Sequence, residues 1–162
     1  MIRRLRRQVA RRRDESGLDG GNAIVEFVFV AVLVMVPLVY LVVTIADVQR
    51  STLAVSDAAR DAGRAYVTSD TRSEALGRAQ VAARLALADQ GLPDDVTLRF
   101  VAAGASCDGP AITPQLSAGA QFTVCVTRHV TVPAVPTVVA GRGITTVGKY
   151  VVHVDDFRET PK

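Results

Sequence analysis

Residues 22–46 read NAIVEFVFVAVLVMVPLVYLVVTIA, and this stretch decides the fold. From Ala23 to Ala46 only Glu26 is charged, and sixteen residues are Val, Leu, Ile or Phe. These sixteen contribute on the order of −5 to −10 kcal/mol to membrane insertion, whereas one carboxylate costs at most about 3 kcal/mol. A helix of this length is ~36 Å long and exceeds a ~30 Å hydrocarbon core. The stretch therefore predicts a transmembrane helix that tilts, or that bends at Pro37.

The charge distribution predicts the orientation of this helix. Residues 1–21 carry seven Arg and three acidic residues, a charge of +4, whereas residues 22–162 carry −1. The positive-inside rule places the basic leader in the cytoplasm and residues 47–162 outside the cell membrane. A nucleic-acid-binding domain would carry the positive charge itself, so that class is disfavoured. A cleaved secretory signal is also disfavoured, because its apolar stretch spans only about 7–15 residues.

A glycine pair precedes the apolar stretch, and an acidic residue follows closely. Gly21 is followed by Asn22, and Glu26 lies five positions after Gly21. A carboxylate this far into an apolar helix needs a partner or a route to the interface. One interpretation is that Glu26 reaches the lipid headgroups. The other is that it pairs with a positive group of the same or a neighbouring chain.

The order of basic leader, Gly21, four residues, Glu26 and an apolar helix resembles the start of type IV prepilins and pseudopilins. The segment AARDAGRA at residues 58–65 then matches the pattern of TadE-like proteins, the minor pseudopilins of tight-adherence (Flp-type) pili. The resemblance covers about residues 17–67. Phe27 departs from the Tyr that is usual after this Glu in the major pilins of these systems. The departure favours a minor subunit.

The resemblance implies a processing site, an assembly role and partners. A prepilin peptidase would cut between Gly21 and Asn22, so that Glu26 becomes the fifth residue of the mature chain. The new α-amino group would pair with a Glu26 carboxylate and set the axial register, with Phe27 beside it. The implied partners are the peptidase, other pilin or pseudopilin subunits and the pilus assembly platform, without nucleic acid.

Beyond the apolar stretch the helical pattern continues to about Val67. Small residues recur at Ala54, Ala58 and Ala62, and they predict a face that packs closely on neighbouring subunits or on the protein's own domain. Four charged residues alternate in sign on the other face, where intrahelical ion pairs are expected: Asp57, Arg60, Asp61 and Arg64.

The remaining chain predicts one more helix and a small sheet. Thr71-Arg72-Ser73-Glu74 has the pattern of a capping box, and Gly91-Leu92-Pro93 ends the helix that follows. Its expected apolar face contains Leu76, Ala79, Ala83 and Leu87, with Val81, Leu85 and Ala88 beside it. Period-two patterns then predict three half-buried strands, at 96–100, 122–127 and 150–154, with a fourth at 130–138 if that segment joins. The predicted class is α+β, with an antiparallel sheet of three or four strands.

Cys107 and Cys125 are the only cysteines. Outside the cytoplasm a disulfide is the natural state of such a pair, and it would stabilise the domain by about 3 kcal/mol. Because Cys125 alternates with Phe122, Val124 and Val126, the segment bearing Cys107 would have to cross the outer face of the sheet. The alternative is two separate thiols.

No motif for catalysis, a cofactor or a metal is apparent. His129 and His153 lie in strand patterns without ligands at metal-binding spacing, and no nucleophile, base and orienting group come together. We therefore expect no enzyme, and three hypotheses follow. The first is a TadE-like minor pseudopilin, the second an uncleaved single-pass protein with an extracytoplasmic binding or sensor domain, and the third a permanently anchored component of the assembly platform.

Overall fold

A computed structural model describes residues 2–130 and 143–158, with the side chains of residues 23–130 and 143–158. The chain divides into two compact units, Met1–Val43 and Thr44–Lys162. The described elements are two helices and three strands: α1 (Ile2–Val67), α2 (Arg72–Asp89), β1 (Thr97–Ala102), β2 (Gln121–Val130) and β3 (Ile144–His153). The predicted α+β class, with a long apolar N-terminal helix and a small antiparallel sheet, is confirmed.

The first unit consists of α1 alone among its described residues. Its large apolar side chains from Ile24 to Val43 are between 51% and 73% exposed. Val and Ile are mediocre helix formers in water. In hydrocarbon the helix is nevertheless favoured, because it satisfies every backbone hydrogen bond within one segment. Pro37 lies inside α1, which continues beyond it.

In the second unit α1 turns a face of small residues toward the sheet. Ala54, Ala58 and Ala62 are fully buried. Of the two interpretations of these alanines, packing on the protein's own domain is the one that the structure shows. Asp57 and Arg60 on the opposite face are exposed.

The close approach of α1 to β3 depends on two glycines. A Cβ atom added at Gly148 would lie 1.9 Å from the carbonyl oxygen of Val55. One added at Gly63 would lie 2.6 Å from Cγ2 of Val152. The backbones of helix and strand are therefore in contact near Gly148. Any residue with a side chain at this position would force them apart.

The ion pairs predicted along α1 are absent from the described residues. Described ion pairs join Arg78 to Glu74, Arg128 to Asp95 and His153 to Asp156. None involves the four residues predicted to pair along α1. That prediction is wrong because these side chains are exposed, and the entropy lost in fixing two long side chains offsets their weak attraction in water.

The second helix begins and ends where its capping residues predict. Thr71 is the N-cap, and its Oγ1 accepts a hydrogen bond from the backbone N–H of Glu74 at 3.3 Å. Gly91 follows the helix with a φ of 67°. The buried face contains Ala79, Ala83 and Leu87 as predicted, and it also contains Ala75 and Ala86. Leu76, expected in the core, is 41% exposed.

The sheet has the order β1-β2-β3, and both pairs are antiparallel. Its inner face places Phe100 and Phe122 beside Tyr66 of α1, with ring centroids 5.0 to 5.9 Å apart. Each such pair contributes about 0.5–1.5 kcal/mol beyond area burial. These three rings form the aromatic part of the core.

The outer face of the sheet is covered over β1 and β2. Val101 and Thr123 point to this face and are fully buried, and Cys125 is 1% exposed. The expectation of half-buried strands is therefore wrong for β2, because the segment between β1 and β2 crosses over it. The possible fourth strand depends on residues 131–138, which lie outside the described residues.

Candidate functional site

The predicted processing and assembly residues lie in the first unit, within α1. Gly21 and Asn22 belong to this helix, and Glu26 follows Asn22 by about one turn. Phe27 is 73% exposed. The structure thus places the four predicted residues on consecutive turns of one helix.

Glu26 has no partner among the described residues. No ion pair or hydrogen bond reaches its carboxylate. Its neighbours on the helix surface three and four positions onward are Phe29 and Val30, which offer no donor. An ionised carboxylate in apolar surroundings requires a counter-charge or hydrogen bonds. Any partner for Glu26 must therefore come from outside the described side chains: from the lipid headgroups, from the rest of the chain or from another molecule.

The apolar stretch meets the requirements of a membrane span. Within the described residues one helix is long and apolar enough to cross a membrane, and none of its most apolar window is buried by protein. By length and composition this helix fits a single-pass anchor. The second unit carries its own core and a disulfide, as an extracytoplasmic domain would.

The disulfide between Cys107 and Cys125 is present, with the Cα atoms 5.7 Å apart. Cys107 lies in the segment that crosses the outer face of the sheet, as predicted. The Arg99 guanidinium donates hydrogen bonds to the carbonyl oxygens of Cys107 and Gly109, at 3.4 and 2.7 Å. The Lys149 ammonium donates to the carbonyl oxygen of Gly104 at 3.1 Å. This segment is thus attached to all three strands.

A buried polar cluster was missed by sequence reasoning. Arg128 is 8% exposed, and its Nη1 donates a hydrogen bond to Ser51 Oγ at 3.2 Å. Ser51 Oγ in turn lies 2.9 Å from Thr146 Oγ1, and Asp95 lies 3.3 Å from Arg128 Nε. The inward position of Arg128 could have been predicted, because strict alternation along β2 places it on the inner face. A buried guanidinium is tolerated only with such partners.

The histidines lie at the surface with local partners. His129 Nδ1 is 3.0 Å from Thr145 Oγ1, and His153 Nε2 is 3.1 Å from Asp156 Oδ1. Neither belongs to a cluster of three or more His, Cys, Asp or Glu side chains, and the described part of the chain contains no such cluster. These residues support the fold locally.

Burial perturbs the titration of Tyr66. It is fully buried, and its hydroxyl donates a hydrogen bond to the carbonyl oxygen of Pro114 at 3.0 Å. Burial raises the pKa of this hydroxyl above its ordinary value of 10.0, and the charge of Arg72 acts in the opposite direction. Because the Tyr66 ring is buried only in the folded protein, this raised pKa is a consequence of the fold and not a sign of a catalytic group.

Comparison with protein-family models, with curated proteins and with solved structures finds no match for the chain. Any proposal for its function therefore depends on the residues themselves. The relevant ones are Gly21, Asn22, Glu26 and Phe27 in the first unit and the disulfide-bonded second unit.

Proposed function

We propose that the chain is a TadE-like minor pseudopilin, a structural and assembly subunit of a tight-adherence type pilus. The observation that carries the proposal is the Glu26 carboxylate. It lies on an apolar helix, five positions after Gly21, without a partner among the described residues. A membrane anchor alone has no use for such a group, since every insertion scale penalises it.

In this proposal the basic leader lies in the cytoplasm and the second unit lies outside the cell membrane. The seven Arg of residues 1–13 support the orientation by the positive-inside rule. The Cys107–Cys125 disulfide supports it independently, because cytosolic thiols are kept reduced.

Processing would create a partner for Glu26. Cleavage after Gly21 exposes an α-amino group at Asn22, one helical turn from Glu26. In a low dielectric the attraction between this ammonium and a carboxylate is much stronger than in water. When the carboxylate belongs to a neighbouring subunit, the pair fixes the axial position of one helix against the next. Phe27 would pack beside this contact.

The proposed partners are a prepilin peptidase, other pilin or pseudopilin subunits and the assembly platform in the membrane. We propose no catalytic role and no nucleic-acid partner. The second unit would present its surface to other subunits while the anchor holds it at the membrane.

The proposal is tested by substitution at the cleavage site. Gly21→Val places a branched side chain next to the scissile bond, whereas the matched control Gly20→Val places the same side chain one position away. We expect Gly21→Val to remain at full length on an immunoblot of membranes and Gly20→Val to mature. Normal maturation of Gly21→Val would contradict the proposal and favour an uncleaved protein with a binding or sensor domain.

A component that remains anchored in the assembly platform shares these features. Fractionation of sheared fibres separates the two cases, because an incorporated subunit leaves with the fibre. Retention of all mature chain in the membrane fraction would favour the platform component.

A further inference from the structure

The second helix is apolar on two opposite faces. Its inner face is buried against the core, yet Val81 and Leu85 on the outer face are 65% and 59% exposed, with Ala88 exposed beside them. A surface helix of a monomeric domain ordinarily turns charged and polar side chains to solvent. The outer face of α2 thus has the composition of a contact surface.

Shallow grooves flank this outer face. One, of about 490 Å³, is lined by Val81, Arg84, Leu85 and Ala88. The other, of about 560 Å³, includes Gly77. A Cβ atom added at Gly77 would have no atom within 4 Å. The side of the helix near Gly77 is therefore open to a second helix.

The outer residues Val81, Leu85 and Ala88 have the spacing of the row of side chains, here called the seam, along which two paired helices meet. Val81, Leu85 and Ala88 are separated by four and three positions, as the core positions of a parallel coiled coil are. Arg84 lies on one side of this seam and Asp89 on the other. Neither has an ion pair among the described residues.

The two flanking charges identify the partner and its direction. In a parallel, in-register pair of identical helices, Arg84 of one copy faces Asp89 of the other, and the symmetry repeats this contact. In an antiparallel pair Arg84 would face its own counterpart, a like-charge contact. We propose that α2 is a self-association surface, on which a second copy of this chain packs its own α2 in parallel.

This inference goes beyond the proposed function and does not depend on cleavage after Gly21. The seam is short, so the contact is weak between free molecules. Two copies anchored in one membrane meet at a high effective concentration, which favours the same contact without any added interaction.

Cysteine crosslinking of the full chain in membranes tests the pairing. The two native cysteines are joined to each other, so an introduced cysteine is the only free thiol. In an in-register parallel pair Val81 meets Val81 of the partner subunit, and Val81→Cys should yield a dominant disulfide dimer. Leu76→Cys is the matched control, exposed on the same helix but outside the seam, and should yield almost none.

Four outcomes would overturn the inference. Equal dimer from both variants, or none from either, would show no specific contact. Dimer only in a mixture of Val81→Cys and Leu85→Cys chains would show an antiparallel pair. A Val81→Cys adduct with a protein of different mass would assign the surface to another partner.

A charge exchange tests the proposed ion pair in the Val81→Cys background. Arg84→Glu or Asp89→Arg alone places like charges opposite each other and should lower the dimer yield about two- to five-fold. The double variant restores both contacts with reversed sign and should recover the yield. Unchanged yield in the single variants, or no recovery in the double, would contradict the pairing.

The crosslink is measured with and without the Gly21→Val substitution. Dimer from the uncut chain would support self-association even where the proposed function fails. Loss of the dimer only in the uncut chain would contradict the independence from cleavage that the inference asserts.

Discussion

From Ile24 to Val43 the large apolar side chains of α1 are exposed on every side, whereas beyond Thr44 the same helix has a buried face that consists mainly of small side chains, among them Ala54, Ala58 and Ala62. Large side chains on every face suit hydrocarbon, which contacts the helix from all directions. Alanine and glycine on one face instead allow a sheet to approach the helix backbone. Side-chain size, as much as hydrophobicity, therefore separates a helix suited to lipid from one that packs on protein.

The largest expected effect comes from the closest contact in the second unit. Gly148→Val places a side chain where even a Cβ atom would lie 1.9 Å from the Val55 carbonyl oxygen. We expect a loss of about 3 kcal/mol or more in the free energy of unfolding, since neither backbone can yield. Membrane insertion should be unchanged. Thermal unfolding in detergent and carbonate extraction measure the two quantities.

Gly77→Ala is the matched control for this variant. An added Cβ atom there meets open space, so the second unit should keep or slightly gain stability. Equal stability of the Gly148→Val and Gly77→Ala variants would contradict the contact between α1 and β3.

A charge introduced in the first unit should instead weaken membrane insertion and leave the stability of the second unit unchanged. Val34 is 56% exposed near the middle of the apolar stretch, and Val34→Arg should cost about 2.5–3.5 kcal/mol of insertion. Leu53 on the same helix is 67% exposed in the second unit, and Leu53→Arg should cost almost nothing. Carbonate extraction should release part of the first variant and none of the second. Equal release would remove the distinction between the units.

The smallest effect concerns the hydroxyl of Tyr66. Tyr66→Phe loses the hydrogen bond to Pro114 and should cost about 1 kcal/mol at neutral pH. Because burial raises the pKa of Tyr66, the neutral hydroxyl stabilises the fold below pH 10, and this contribution is lost as the pH rises further. The free energies of unfolding of the wild-type and Tyr66→Phe proteins, measured by denaturant titration, should converge above pH 10. A constant difference would contradict the pKa shift.

Much of this fold could be predicted because its signals are local. The apolar stretch, the Thr71 cap, the stop at Gly91 and the period-two strands each depend on neighbours in the sequence. Cys107 and Cys125 could be paired because the chain has no others. These features needed no knowledge of the tertiary contacts.

The remainder depends on contacts between distant segments. Gly148 precedes the predicted strand at 150–154, so the sequence showed neither its place in β3 nor its contact with Val55. Alternation along β2 places Arg128 on the inner face, but the sequence does not identify its partner Ser51, which lies 77 positions away. The buried face of α2 was predicted correctly at Ala79, Ala83 and Leu87 but not at Leu76, which is 41% exposed, because an apolar side chain does not by itself show which side of the face a core covers.

The candidate site divides in the same way. The position of Glu26 relative to Gly21 is a matter of sequence spacing, and the structure adds that its carboxylate has no partner within the described residues. The outer face of α2 emerged only once the structure showed Val81 and Leu85 exposed. Its partner could then be argued from Arg84 and Asp89.

The proposed function depends above all on cleavage between Gly21 and Asn22. Mass spectrometry of the N-terminal peptide from purified membranes measures this cleavage directly. We expect a mature chain that begins at Asn22 and has lost all seven leader arginines. A chain that still begins at Met1, or one cut on the far side of the apolar stretch near Ala46, would contradict it.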